Sequence, residues 1–368
     1  MRRFMIAMLA ISALTAVTPA RGREFLRGAD VSFEPQVTAG GGVFYHAGEE
    51  ADLFVILHAN GLNLIRLRLW HSPADGHNSL TETLSLAVRA KAAGLRVLLD
   101  FHFSDTWADP GHQTKPAAWT GLTTNVLADS VRAYTQAVME AFAARDVIPV
   151  MVQLGNEITS GLLWNNGRVG GTYDTPDQWR NLTELLKAAI AGIDEARIGE
   201  PRPEIMIHLD RGGDNTGTRW FFDKLIDHGL DFDLIGLSYY PWWHGTLADL
   251  EANLNDLAMR YGKDLVLVET AYPWTLQWFD NTHNPVGEAE QLLDGFPATP
   301  AGQLKFLSAV TAIMQAVPDG RGRGVVWWAP ESIAAPGFGS AWENVTLFDE
   351  RGRVLPALDG FSEGETGR

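Results

Sequence analysis

Cysteine is absent from the 368-residue chain. Its absence excludes disulfide bridges, zinc–thiolate sites and a cysteine nucleophile. Basic charge is also scarce, because 29 Lys and Arg residues stand against 45 Asp and Glu residues, for a formal net charge of −16. A basic surface for nucleic acid or for anionic lipid is therefore not expected.

Long apolar runs are missing beyond the N-terminus. The run at residues 4–17 follows two arginines and precedes small residues, which is the pattern of a secretory signal cleaved after Ala20. An anchoring helix is the alternative, but the run is short for a membrane span. We therefore predict a signal peptide at 1–20, a catalytic domain at 21–368, a secreted or periplasmic protein and no membrane partner.

Two common catalytic motifs are missing as well. No glycine-rich phosphate turn links an early strand to a helix, because the glycines at 40–42 continue into Val-Phe-Tyr. This disfavours a doubly wound nucleotide-binding sheet. There is no Gly-x-Ser-x-Gly elbow either, which disfavours a serine hydrolase of the α/β class.

Eight short apolar runs alternate with helical patterns along the chain. The runs are apolar on both faces, as strands of a parallel sheet buried on both sides are. We therefore predict a single (β/α)8 barrel, with an open doubly wound sheet as the rival. The predicted strands are 27–32, 62–70, 96–103, 147–154, 204–209, 234–239, 264–269 and 324–328.

Several segments that follow predicted strands are long and rich in Trp, Asp, Asn, His and Gly, whereas the segments from a helix to the next strand are short. In a barrel this asymmetry predicts that the working face lies at the carboxyl ends of the strands.

Two glutamates end predicted strands, Glu157 after strand four and Glu269 on strand seven. In a barrel both carboxylates would project into one mouth. Two carboxyl groups about 5–5.5 Å apart are what a retaining glycosidase uses, one as acid/base and one as nucleophile. The alternative is that each glutamate forms a structural ion pair with an arginine.

Charged residues also interrupt strands two and three. Arg66 and Arg68 share one face of strand two and need compensation if buried, either by a nucleophile or by a structural ion pair with Asp30 or Asp100. Asp100 and His102 share a face at the end of strand three, where we predict hydrogen bonds to a polyhydroxyl substrate. A metal site is the alternative, although no other His has a convincing spacing.

Aromatic residues are concentrated at predicted strand ends. Such rings can stack on the apolar faces of sugars, whereas core packing is the alternative for about half of them. They are Trp107, Trp119, Trp164, Tyr239, Tyr240, Trp242, Trp243, Tyr272, Trp274, Trp278, Trp327, Trp328 and Trp342.

These segments together resemble a known family, the arabinogalactan endo-β-1,4-galactanases of glycoside hydrolase family 53. The resemblance runs from about Gly28 to Leu358. It is carried by Gly-Ala-Asp-Val-Ser at 28–32, Asn-Leu-Ile-Arg-Leu-Arg-Leu-Trp at 63–70, Asp-Phe-His-Phe-Ser-Asp-Thr-Trp-Ala-Asp-Pro at 100–110, Gln-Leu-Gly-Asn-Glu-Ile at 153–158, Ile-Gly-Leu-Ser-Tyr-Tyr-Pro at 235–241, Val-Glu-Thr-Ala-Tyr-Pro-Trp at 268–274 and Trp-Glu-Asn at 342–344.

The resemblance implies an endo-acting retaining hydrolase of β-1,4-galactan. Glu157 would be the acid/base and Glu269 the nucleophile, with Asn156 on the sugar 2-hydroxyl. Arg66, either Tyr239 or Tyr240, Trp274 and Trp328 would complete the substrate site. No cofactor for the chemistry is implied, the partner would be the polysaccharide, and a monomer is expected.

Two features depart from the family pattern or extend it. After strand eight the family commonly has Trp-Glu-Pro, but this chain has Trp-Ala-Pro with a glutamate only at Glu331. The resemblance also implies a structural calcium in the loop after strand seven, at Asp280, Asn281, His283 and Asn284, where the Asp and Asn oxygens suit calcium. Two rival functions remain, another barrel glycosidase such as a mannanase or cellulase, and a catalytically silent sugar-binding protein.

Overall fold

Eight parallel strands close into a barrel, as predicted from the alternation of strand and helix patterns. The computed structural model describes residues 24–199 and 201–361, so the predicted signal peptide lies outside the described residues. Each strand pairs with its neighbours along the chain, and the last pairs with the first. The strands are β1 Leu26–Asp30, β2 Leu64–Leu69, β3 Arg96–Phe101, β4 Met151–Leu154, β5 Glu204–Leu209, β6 Leu234–Tyr239, β7 Asp264–Thr270 and β8 Gly322–Trp328.

Helices surround the barrel and connect consecutive strands. Within the described residues, none of them combines the length and apolarity needed to cross a bilayer. They are α1 Glu34–Ala39, α2 Leu53–Ala59, α3 Leu80–Ala92, α4 Thr124–Ala144, α5 Pro176–Glu195, α6 Asn215–Asp227, α7 Pro241–His244, α8 Leu247–Tyr261, α9 Pro300–Ala316 and α10 Pro356–Asp359.

Shorter elements lie in the connections. Two antiparallel ribbons pair Tyr45–His46 with Glu49–Glu50 and Gly161–Leu162 with Gly167–Arg168. Single 3₁₀ turns are Ala117–Trp119, Ile158–Ser160, Gly171–Tyr173, Ala289–Gln291 and Pro318–Gly320.

Strand β4 is shorter than predicted. It begins at Met151 rather than at residue 147. Proline has no N–H to donate to a sheet ladder, so Pro149 ends the pairing on that side. Val150 donates its N–H to the carbonyl of Val97, which brings the chain into register just before the strand begins.

The barrel interior is closed at the amino-terminal end by apolar side chains, whereas a larger apolar layer packs between the strands and the helices. The interior set forms what we call the barrel plug. Its members are Leu26, Leu64, Leu98, Met151, Met206, Leu234, Val266, Val268 and Val326.

Candidate active site

A polar layer lies directly above the barrel plug. Side chains of a strand alternate between its two faces, so the residue two positions beyond each plug residue also faces the interior. On four consecutive strands that residue is polar and fully buried. These positions are Arg66 on β2, Asp100 on β3, Gln153 on β4 and His208 on β5.

Glu269 reaches this layer because strand β7 contains an irregularity. Val268 belongs to the plug, so strict alternation would turn the next side chain outward. The pairing register of β7 shifts at this point on both sides, since Leu237 and Ser238 of β6 pair with Leu267 and Glu269 and skip Val268. A bulge of this kind redirects a side chain, and here it brings Glu269 into the barrel mouth.

Glu157 reaches the mouth through a sharp turn after β4. Gly155 has φ +86°, and Glu157 itself is left-handed with φ 48° and ψ 53°. Left-handed backbone is uncommon for residues other than glycine and costs about 1–3 kcal/mol, and it tends to be kept at functional sites. The turn places Asn156 and Glu157 on the wall of one cleft.

Arg66 is the centre of the charge arrangement. Its Nη1 lies 2.9 Å from Asp30 Oδ2 and 2.8 Å from Glu269 Oε1, and its Nη2 lies 2.9 Å from Asp100 Oδ2. Nη2 also donates to Asn156 Oδ1 at 2.8 Å, and Nε donates to Gln153 Oε1 at 3.1 Å. One buried guanidinium therefore compensates three carboxylates and fixes two amides.

Two contacts of Glu269 favour its ionised form and oppose the effect of burial. Besides the ion pair with Arg66, its Oε2 accepts a hydrogen bond from Tyr240 Oη at 3.1 Å. Burial raises the pKa of Glu269 to about 7, against the opposing effect of Arg66, with further increases from Asp30 and Asp100. Of the two glutamates, Glu269 is therefore the one whose carboxylate is paired with a cation.

Glu157 is in the opposite situation. Its Oε1 accepts a hydrogen bond from Ser238 Oγ at 2.7 Å. Burial and the nearby Glu269 and Asp210 carboxylates raise the pKa of Glu157 well above its usual range. Of two carboxyl groups that compete for one proton, the one without a paired cation has the higher proton affinity, which here is Glu157.

The two glutamates line a cleft of about 700 Å³ at the carboxyl ends of the strands. Trp328 lines this cleft and is 5 % exposed, whereas Trp107 and Trp243, which also line it, are 36 % and 56 % exposed. A cleft with two opposed carboxyl groups and accessible indole rings suits a sugar polymer, since indole faces can cover the apolar faces of sugars.

Known proteins share this architecture and sequence. The family model for glycosyl hydrolase family 53 matches residues 26–361. The chain belongs to glycosyl hydrolase family 53.

Relatives of the family 53 chain extend over most of its length. An uncharacterized protein of Niallia circulans is 43 % identical over 347 residues, covering 92 % of this chain and 94 % of the relative. An arabinogalactan endo-beta-1,4-galactanase of Thermothelomyces thermophilus is 37 % identical, covering 85 % and 91 %. The Ignisphaera aggregans GH53 catalytic domain superposes with TM-score 0.85 at 37 % identity, covering 94 % and 98 %. The protein is thus a glycoside hydrolase.

In this glycoside hydrolase, Asp100 and His102 lie below the cleft and not on its wall. Asp100 is fully buried and contacts Arg66, Gln153 Nε2 at 2.7 Å and His102 Nε2 at 3.1 Å. His102 Nδ1 accepts hydrogen bonds from Trp70 Nε1 and from the N–H of Ala108. The two side chains hold Arg66 and the loop after β3, which differs from the direct substrate contact predicted for them.

The two adjacent tyrosines point in opposite directions. Tyr240 Oη contacts Glu269, whereas Tyr239 Oη donates to the carbonyl of Gly245 and its ring stacks on Phe306 among the helices. The reason is strand alternation, because Ser238 faces the interior and Tyr239 therefore faces outward. The predicted role of Tyr239 in substrate binding does not fit this position.

Trp274 also lies away from the cleft wall. Its ring stacks on Phe279 with centroids 5.5 Å apart, and its Nε1 donates to Thr346 Oγ1 at 3.3 Å. Trp274 therefore holds the loop after β7 against the C-terminal segment that contains Thr346.

Arg68, the second arginine of strand β2, is buried with its guanidinium 3.9 Å from the Trp107 ring centre. Burial lowers the pKa of Arg68 to about 10.

Several residues of the site were not predicted from the sequence. Gln153, His208 and Ser238 lie inside otherwise apolar strands, and Asp210 and Arg211 follow β5 on the cleft wall. The available signal was a polar residue at a strand position that faces the barrel interior. It could be used only if the inward-facing residues of each strand were already known.

The predicted calcium loop contains part of a ligand set. No group of three or more His, Cys, Asp or Glu side chains suited to a metal is found among the described residues. Two oxygens, Asn284 Oδ1 and Glu343 Oε2, are buried without a hydrogen-bond donor in the described part of the chain. Glu343 Oε1 accepts from the N–H of Asp280 and from Asn284. Asn281 and His283 are exposed, and His283 packs against Trp278.

Proposed function

We propose that the protein is an endo-acting, retaining arabinogalactan endo-β-1,4-galactanase in which Glu269 is the nucleophile and Glu157 the acid/base. The observation that carries the proposal is the asymmetry between the two carboxyls, since Arg66 and Tyr240 hold Glu269 while Glu157 has only a hydroxyl donor. A retaining glycosidase needs this division between an ionised and a protonated carboxyl group.

In the first step, a carboxylate oxygen of Glu269 attacks the anomeric carbon of the bound sugar. The glycosidic carbon–oxygen bond breaks, and Glu157 transfers its proton to the departing oxygen. The sugar is left as an ester of Glu269, and Glu157 becomes a carboxylate. Arg66 and Tyr240 orient Glu269 for this attack, because they hold its two oxygens from different directions.

In the second step, the ionised Glu157 takes a proton from water while the water oxygen attacks the anomeric carbon. The ester bond to Glu269 breaks, and both carboxyl groups return to their starting states. Asn156 would assist, because Ala108 O occupies one N–H of its amide and leaves a second one for the sugar 2-hydroxyl.

The substrate assignment rests on family membership and on the name of the Thermothelomyces thermophilus relative, arabinogalactan endo-beta-1,4-galactanase. The open cleft with exposed Trp107 and Trp243 at its rim supports binding of an internal stretch of a polymer.

Linear β-1,4-galactan is the substrate that tests the proposal. We expect the wild type to release galacto-oligosaccharides whose first-formed anomer is β by proton NMR. Cleavage of mannan or cellulose but not galactan would show that the substrate is a different polysaccharide. An α anomer would show that the enzyme inverts, so that Glu269 is not a nucleophile.

The matched variants are Glu269→Ala and the exposed Glu251→Gln. Glu269→Ala should lose turnover and regain it with azide, because azide can replace a missing nucleophile. Glu251→Gln should behave as the wild type. Full galactan cleavage by Glu269→Ala would show that Glu269 is not the nucleophile. A wild type that binds glycans but cleaves none would indicate a sugar-binding protein in place of an enzyme.

We propose in addition that residues 1–20 direct export. Amino-terminal sequencing of the exported protein should begin at Arg21. A first residue of Met1 in that protein would contradict the proposal.

We propose a structural calcium held by Asp280, Asn284 and Glu343, whose oxygens are hard ligands of the kind calcium prefers. Calcium would supply charge compensation in this loop. The melting temperature Tm should rise with calcium and fall with chelator, and Glu343→Gln should remove that response. An identical Tm in calcium and chelator would exclude the site.

A further inference from the structure

A chain of hydrogen bonds runs from the centre of the polar layer to Glu157. Gln153 Nε2 lies 3.0 Å from His208 Nδ1, His208 Nε2 lies 2.9 Å from Ser238 Oγ, and Ser238 Oγ lies 2.7 Å from Glu157 Oε1. His208 and Ser238 are both fully buried, so they reach the cleft only through Glu157.

The partners of His208 fix its tautomer. Its Nδ1 faces two donors, Gln153 Nε2 and the N–H of Glu157 at 3.3 Å. One acceptor, Asn156 Oδ1, also lies 3.1 Å away, but the backbone N–H of Glu157 can only donate and would clash with a proton on Nδ1. Two donors at Nδ1 require an unprotonated nitrogen there, so the ring proton is on Nε2 and points at Ser238 Oγ.

Ser238 has one hydroxyl proton, and the donor–acceptor order of these hydrogen bonds determines which atom accepts it. Because its oxygen accepts from His208 Nε2, the hydroxyl is free to donate to Glu157 Oε1. Oε1 is thereby occupied as an acceptor, and the other carboxyl oxygen, Oε2, remains available for the acidic proton.

We propose that His208 and Ser238 are positioning residues that form a fixed hydrogen-bond relay to Glu157, keeping Oε1 occupied so that the acidic proton is carried on Oε2. This inference rests on the acid/base role proposed for Glu157. The relay does not touch the substrate. It acts through the orientation and proton affinity of the acid.

The surrounding charges agree with a neutral His208. Burial lowers the pKa of His208 well below its usual value, with help from the nearby positive charge of Arg66. The other titratable groups that act on it are Asp100, His102 and His244. The groups that act on Glu157 are Glu269, Asp210, Arg66 and Tyr240, besides the Ser238 hydroxyl.

Ser238→Ala tests the relay through the pH profile of kcat/KM. The hydroxyl stabilises the ionised carboxylate, so its loss raises the proton affinity of Glu157. The alkaline limb should therefore move upward by about one pH unit, the size expected of one hydrogen bond to a charged group. We expect kcat to fall about tenfold with little change in KM.

Ser238→Thr retains a hydroxyl and should keep the wild-type alkaline limb. The matched control is Thr135→Val, which removes a buried hydroxyl on helix α4 while preserving side-chain shape. Its profile should coincide with that of the wild type. If the alkaline limb of kcat/KM for Ser238→Ala coincides with that of the wild type, the proposed relay is wrong.

Nitrogen NMR of the imidazole groups tests the tautomer without any activity. Among the 10 histidines, the His208 signal is identified by its loss in His208→Gln. We expect an unprotonated Nδ1 and a protonated Nε2 between pH 5 and 8. A proton on Nδ1 would overturn the relay, because Ser238 would then donate to His208 and not to Glu157.

The two proposals fail in different ways. A wild type that cleaves another β-glycan removes the galactan assignment, and its pH profile on that glycan still tests the relay. A wild type without any hydrolase activity removes the acid/base role and the relay with it. Wild-type galactan cleavage with an unchanged Ser238→Ala profile removes the relay alone.

Discussion

At Arg66, a single buried guanidinium meets Asp30, Asp100 and Glu269 within 2.9 Å. Removing one partner of a buried ion pair leaves the other charges uncompensated and typically costs about 3–5 kcal/mol. Lysine could supply the charge but not the planar fork that reaches several acceptors at once. Arg66 therefore links the stability of the barrel mouth to the ionisation of Glu269.

Tyr240→Phe should shift the acidic limb of the pH profile. Tyr240 Oη donates to Glu269 Oε2, which favours the ionised form of Glu269. Without that donor the pKa of Glu269 rises, so more of the enzyme is protonated at low pH. The acidic limb of kcat/KM should move upward by about one pH unit.

The control for that measurement is Tyr239→Phe, whose hydroxyl bonds to Gly245 outside the cleft. Its acidic limb should match the wild type. A shift of equal size in both variants would show that the limb reports a general loss of stability and not the contact with Glu269.

At the residue scale, strand ends made part of the site predictable. Glu157 and Glu269 could be selected because each follows an apolar run, and the structure brings them to one cleft. Tyr239 and Tyr240 could not be separated, since the choice requires knowing which strand face is inward. His208 was missed because a buried histidine in an apolar strand is also compatible with core packing.

At the element scale, the turn after β4 carries backbone strain. Gly155 has φ +86°, and a Cβ at this position would lie 2.5 Å from Ile158 Cγ2. Gly155→Ala should lower the free energy of unfolding by about 1–3 kcal/mol, because it adds a left-handed alanine and a steric clash. Urea unfolding measures this loss, and kcat should fall because Asn156 and Glu157 are displaced.

Gly121→Ala is the control that separates the cost of a left-handed alanine from the cost of the steric clash. Gly121 has φ +79°, but a Cβ at this position would meet nothing within 4 Å, and the residue precedes helix α4 away from the cleft. We expect a smaller loss of stability and unchanged kcat. Equal losses of activity in both variants would contradict the role given to the turn.

The eight strands could be predicted because an apolar run between helical patterns is a local property of sequence. The bulge in β7 could not, because Val268 and Glu269 continue a run that is also compatible with regular pairing. The start of β4 was placed too early for a similar reason. Val147 is buried as a strand residue would be, but the ladder begins only after Pro149.

At the scale of the whole molecule, buried carboxyl groups affect how stability depends on pH. Glu331 is fully buried, its Oε1 accepts from the N–H of Phe33, and its Oε2 meets no donor among the described residues. Burial raises the pKa of Glu331 well above its usual range, and Asp30 and Glu34 add to the effect. The folded protein thus binds this proton more tightly than the unfolded chain.

The sign of the effect follows from proton linkage. Below the unfolded pKa, Glu331 is protonated in both states and its contribution to stability is fully present. As pH rises towards the folded pKa, the unfolded chain releases the proton first and stability is lost. Glu331→Gln should therefore match the wild type near pH 4 and exceed its Tm at pH 8 by at least about 2 °C.

Exposed Glu251→Gln is the control, and its Tm should follow the wild type at both pH values. A Glu331→Gln protein that gains equally at pH 4 and pH 8 would indicate better packing, not the removal of a proton-binding group.

The connection of both glutamates to Arg66 has an evolutionary consequence. Arg66 contacts Glu269 directly and reaches Glu157 through Gln153, His208 and Ser238. Mutations along this route should show strong epistasis, because each changes the background in which the others act. Lineages that adapt to acidic or alkaline habitats would then change the rim, at positions such as Asp210 and Arg211, and leave the interior network intact.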